Sequence, residues 1–90
     1  MAEQLRVQGA PKSVAGRVLV ILKAFEIRPE QTLSEISETA GLPMSTTFRL
    51  VSELHDGGLL TRSSDKRFRI GPLLTALACA RQGLPPPAIR

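Results

Sequence analysis

The tightest constraint on this chain is a three-residue break, Gly41-Leu42-Pro43, between two stretches of helical periodicity. Upstream, Leu33, Ile36 and Ala40 share one face; downstream, Thr47, Leu50, Val51 and Leu54 do the same. A glycine that accepts positive φ ends the first helix, and Pro43 caps or opens the second, where a missing amide hydrogen does no harm. Two helices joined so closely meet at roughly 90–120°. The small residues Ser37 and Ala40 suit the crossing point. The upstream helix starts at Thr32-Leu33-Ser34-Glu35, the pattern of a capping box. At about eight residues it is too short to persist without tertiary packing.

The flanking segments complete a recognisable order. Residues 1–12 have no periodicity and read as a flexible arm. Ser13 is placed to cap a first helix whose apolar face is Val14, Val18, Ile21, Leu22 and Phe25, ending near Arg28-Pro29. The downstream helix runs to about His55 and closes at Asp56-Gly57-Gly58. There the period switches from 3.6 to 2. Leu59–Arg62 and Arg67–Ile70 read as strands of a hairpin with Ser63-Ser64-Asp65-Lys66 as its loop. After Gly71-Pro72, the residues Leu73, Leu74, Leu77, Ala78 and Cys79 mark a fourth helix to about Arg81. Gly83-Leu84-Pro85-Pro86-Pro87 reads as a stiff extended linker. The expected fold is mainly α with a small β-hairpin: a winged helix-turn-helix with a three-helix core and two-stranded wing, followed by a linker helix. Its domain spans 13–77; residues 78–90 hold the end of the linker helix and the proline-rich linker.

Composition removes other classes. No apolar run approaches the roughly 18–20 residues a membrane span needs, and Met1–Arg6 lacks the order of a secretory signal. A single cysteine, Cys79, cannot form an internal disulfide, which fits the cytoplasm. With His55 it is the only soft ligand, so no zinc finger can be built and no metal or cofactor is expected. His55 also lacks a paired nucleophile, and no glycine-rich phosphate loop is present, so no catalytic reading survives. The net charge of +4 is unevenly spread. Residues 1–28 carry +3, residues 29–56 carry −4 and residues 57–90 carry +5.

The helix after the break leaves one side free of core duty: Met44, Ser45, Thr46, Phe48, Arg49 and Ser52. From Leu42 through Ser52 there is no carboxylate, which suits a polyanion. Hydroxyls at Ser45 and Thr46 can meet phosphates or base edges, and Arg49 can fork onto guanine or hold phosphate. Met44 and Phe48 can press on thymine methyls. In the hairpin, Arg62, Lys66, Arg67 and Arg69 are opposed only by Asp65, which suits a minor groove or its phosphates. Glu53, His55 and Asp56 are expected at the end of the helix away from the nucleic acid. The plainer readings are a helix-turn-helix used for protein contact and a hairpin whose charges protect an exposed edge.

Ser13-Val14 through Phe25, Leu33-Ser34-Glu35-Ile36, Gly41-Leu42-Pro43-Met44-Ser45-Thr46-Thr47-Phe48-Arg49-Leu50, Gly58-Leu59-Leu60 and Phe68-Arg69-Ile70-Gly71 together resemble the DNA-binding domain of IclR-type transcriptional regulators. The resemblance covers roughly residues 13–77 in order. It implies a bacterial regulator that binds double-stranded operator DNA as a homodimer, with Ser45, Thr46 and Arg49 on the recognition helix. The helix after Gly71 would then lead toward an effector-sensing domain. Any small-molecule effector is expected to bind there rather than in these ninety residues. Met44 stands where the family often has lysine, which removes one phosphate contact. Thr47 replaces a usual core valine and brings a hydroxyl that needs a partner. The rival is a winged helix that contacts proteins or dimerises, using Leu19, Val20 and the Leu73–Cys79 face.

Overall fold

A computed structural model of the protein describes residues 12–85. Apart from Lys12, the expected N-terminal arm lies outside the described residues, as do Pro86, Pro87 and the remaining C-terminal residues. The order is α1 (Val14–Ile27), α2 (Leu33–Ala40), α3 (Met44–Asp56), β1 (Leu60–Arg62), β2 (Phe68–Ile70) and α4 (Pro72–Arg81). The arrangement is the winged helix. None of these helices is long and apolar enough to cross a membrane.

Local chemistry sets the boundaries. Ser13 accepts a hydrogen bond from the Gly16 N–H and starts α1. Both halves of the α2 capping box form: Thr32 accepts from the Glu35 N–H, and Glu35 accepts from the Thr32 N–H at 2.9 Å. Gly41 ends α2 with φ of 72°, a conformation that disfavours a residue bearing Cβ. The Ser37 hydroxyl donates to the Leu42 carbonyl at 2.6 Å and ties the turn. Pro43 caps α3, and the buried Thr47 hydroxyl finds its partner in the Pro43 carbonyl at 2.9 Å. The strands pair antiparallel with Leu60 opposite Ile70 and Arg62 opposite Phe68. Each strand is one residue shorter than its apolar pattern suggests.

The core joins Ile21 and Phe25 of α1, Ile36 and Ala40 of α2, and Leu50, Val51 and Leu54 of α3 with Leu42, Leu60 and Phe68. All four residues expected to form the buried stripe of α3 are buried. Two expectations about α1 and α4 need correction. Val14 is 60% exposed, because the first turn of α1 extends past the elements it packs on, and Ala24 takes a buried place instead. The apolar residues of α4 do not enter the core: none is buried, and Cys79 is half-buried.

One buried residue has no counterpart in the apolar pattern. Gln31 is fully enclosed. Its side-chain amide donates to the Ala24 carbonyl at 2.8 Å and the Arg28 carbonyl at 3.2 Å. Its backbone exchanges two hydrogen bonds with Phe68, at 3.1 and 2.7 Å. The base of the wing is thereby stitched to the α1–α2 junction.

Candidate nucleic-acid interface

Packing of Thr47, Leu50, Val51 and Leu54 into the core fixes how α3 is rotated. That rotation turns Met44, Ser45, Phe48 and Arg49 outward. Met44 is 47% exposed and Phe48, one turn later, 61%. Thr46 and Ser52 are half-buried on the margins of this face. No carboxylate lies within ion-pair distance of Arg49 among the described residues, so its guanidinium is available.

A groove of about 610 Å³ runs between α3 and the wing. Met44, Phe48 and Ser52 line it from α3, Arg62 and Lys66 from the wing, and Leu33 and Ser34 from the start of α2. Ser45, Thr46 and Arg49 lie outside this groove on α3, and Arg67 and Arg69 outside it on the wing. Arg62 stacks over the Phe68 ring with its guanidinium carbon 5.4 Å from the centroid. Lys66 sits at the hairpin turn with φ of 66°, and the Ser63 carbonyl accepts its N–H at 3.1 Å. His55 and Asp56, at the far end of α3, also line this groove. The His55 ring meets Phe68 edge-on, with centroids 6.5 Å apart.

The charge balance of the wing also differs from the sequence expectation. Asp65 is not its only opposing carboxylate. Arg67 lies 3.6 Å from Glu35 and 3.6 Å from Asp65, and Arg69 lies 3.4 Å from Glu30. Glu35 is a hub that also pairs with Arg28 at 3.4 Å. The Thr32 N–H holds the Glu35 carboxyl below its ordinary range, with Arg67 and Arg28 adding to the effect. The Ser63 hydroxyl, donating to the Asp65 carboxylate, lowers that group likewise.

Glu30 and Gln31, and the pairing of Glu35 with the wing, are therefore what pattern reading of this region passes over. The capping box is a signal for Glu35 alone: its Oε1 accepts from the Thr32 N–H and also faces Arg67, and its Oε2 faces Arg28.

Comparison with known proteins agrees with this geometry. The IclR helix-turn-helix domain matches residues 14–64, more than half of the chain. No curated protein sequence matches it. Among solved structures, an IclR homolog from Microbacterium hydrocarbonoxydans, in complex with 4-hydroxybenzoate, is 39% identical over 72% of this chain, with a TM-score of 0.69. An IclR homolog from Microbacterium sp. strain HM58-2 is 38% identical over 77%, with a TM-score of 0.71. An IclR-type transcriptional regulator from Silicibacter is 29% identical over 79%, with a TM-score of 0.72. The matched region spans only 28–29% of the length of those three proteins. With its tight-turned helix pair, exposed carboxylate-free face and basic wing, this chain belongs to the IclR family of helix-turn-helix DNA-binding transcriptional regulators.

Proposed function

We propose that this domain reads operator DNA by laying α3 in the major groove and the wing against the minor groove or its flanking phosphates. The observation that carries this is the outward face of α3, where hydroxyls, two apolar side chains and an unpaired Arg49 stand together without a carboxylate. Ser45 and Thr46 take phosphates or base edges, Arg49 a guanine or a phosphate, and Met44 and Phe48 thymine methyls. Ser52 lies at the rim, and the wing brings its basic side chains, with Arg62 and Lys66 lining the groove. Two copies would place their recognition helices about 34 Å apart on successive turns of the duplex. The exposed Leu73 and Leu77 of α4 supply apolar surface for pairing. No cofactor is needed for this role, which is exercised on DNA in the cytoplasm.

Binding to duplexes selected from random sequence, followed across a salt titration, tests the reading. Affinity should fall steeply with salt, because neutralised phosphates release counterions. Affinity independent of salt would refute it. Arg49→Ala should cost about 1–3 kcal/mol on the selected site and relax preference at one position if Arg49 reads a base. An equal loss on all sequences would make it a phosphate anchor. Sedimentation showing only monomer at high concentration would remove the dimer from the proposal.

A further inference from the structure

We infer that the four cations of the wing divide their work: Arg62 and Lys66 meet DNA phosphates, whereas Arg67 and Arg69 are positioning residues that hold the hairpin against the α1–α2 junction. The inference rests on the wing contact proposed above.

Three observations carry it. Arg67 and Arg69 both engage carboxylates outside the helix that reads DNA, at 3.4–3.6 Å. Of these carboxylates, Glu35 is the one least able to follow an arginine elsewhere. Glu35 is bound to the Thr32 N–H and to Arg28. A phosphate that drew Arg67 or Arg69 away would uncover Glu35 or Glu30 beside itself, which Coulomb repulsion opposes. Second, Arg62 and Lys66 face no carboxylate at ion-pair distance among the described residues. Third, both line the groove facing α3, and Arg67 and Arg69 do not. Strand alternation accounts for that split, since Arg69 of β2 and Arg67 just before it fall on the face opposite Phe68.

The hairpin is attached through Phe68 to Gln31, adjacent in sequence to Glu30. Arg69–Glu30 and Arg67–Glu35 therefore fall on either side of that backbone bridge. Together they resist rotation of the wing about it.

The test uses the whole ninety-residue chain and a fluorescent duplex obtained by selection from random sequence. Lys66→Gln, Arg62→Gln, Arg67→Gln, Arg69→Gln, Arg69→Glu and the exchange Glu30→Arg with Arg69→Glu are compared in salt titrations. Circular dichroism melts check that each variant is folded. Loss of one phosphate contact lowers the slope of log affinity against log salt by about 0.9. Lys66→Gln and Arg62→Gln should each show that loss. Arg67→Gln and Arg69→Gln should bind more weakly yet keep the parent slope. The exchanged pair should regain most of the affinity that Arg69→Glu loses, because it restores the tether with the arginine on the other partner. A slope reduced by about 0.9 in Arg67→Gln or Arg69→Gln, or an exchange that regains nothing, overturns the inference while leaving the wing contact intact. Unchanged slopes in Lys66→Gln and Arg62→Gln overturn both, since the wing would then touch no phosphate.

Discussion

The helix pair and the wing stand side by side, yet they are held in place by different forces. Helices α2 and α3 are fixed from inside by Ile36, Ala40, Leu50, Val51 and Leu54. The wing buries little beyond Leu60 and Phe68, and its Arg67 and Arg69 are guyed by ion pairs whose side chains are 31–63% exposed. Apolar packing depends little on salt or pH, whereas exposed charge pairs depend on both. Helix α3 is thus rigidly held, and the wing is adjustable by its surroundings.

The largest effect expected from breaking this contrast is in the helix pair. Ile36 is fully buried in the middle of the core. Ile36→Ala should cost about 2–5 kcal/mol in urea unfolding, by lost transfer energy and the cavity left behind. A loss below 1 kcal/mol would mean that the pair is not anchored there.

Gly71→Ala comes next, at the base of the wing. An added Cβ would strike the Gly58 carbonyl oxygen and come within 2.9 Å of the Leu60 carbonyl carbon. Overpacking of this kind costs about 1–3 kcal/mol. Amide exchange should localise the damage to β1 and β2 rather than α3. Uniform loss of protection would contradict the separation of the two regions.

The smallest effect sharpens the comparison. The folded Glu35 carboxyl is held below its ordinary range, so its contribution is fully present at neutral pH. It is lost as the pH falls through and below the normal glutamate range, when the carboxylate protonates. Protection at the Phe68 and Thr32 amides, taken relative to the intrinsic exchange rate at each pH, should fall there, and Glu35→Gln should reproduce the wing loosening at neutral pH. Protection at Leu50 and Val51 should hardly respond. Equal loss of protection at all four positions would defeat the prediction.

What could be read from the sequence follows the same division. Caps, turns and buried stripes are local, so Ser13, the Thr32–Glu35 box, Gly41 and the Thr47–Leu54 stripe of α3 are legible from spacing alone. The exposed face of α3 follows from the same rotation. The wing is another matter. Arg67–Glu35 and Arg69–Glu30 join residues more than thirty positions apart. A segment-by-segment charge count records an acidic middle and a basic hairpin but not that they are partners. Gln31 is hidden for a related reason. A buried side-chain amide is tolerated only when its hydrogen bonds are met, and its partners are the Ala24 and Arg28 carbonyls at the end of α1 and the Thr39 hydroxyl of α2. Val14 misleads in the opposite sense, since periodicity includes it on the apolar face while the described residues leave it exposed.

The closure at Gly71 has a mechanical consequence. Its N–H donates to the Leu59 carbonyl at 2.8 Å, and the Leu73 N–H donates to the Gly58 carbonyl at 3.0 Å. Hairpin and fourth helix therefore spring from one clamped joint, with no slack chain between them. A torque applied along α4 would reach the foot of the wing directly, as a crank turns the shaft to which it is keyed.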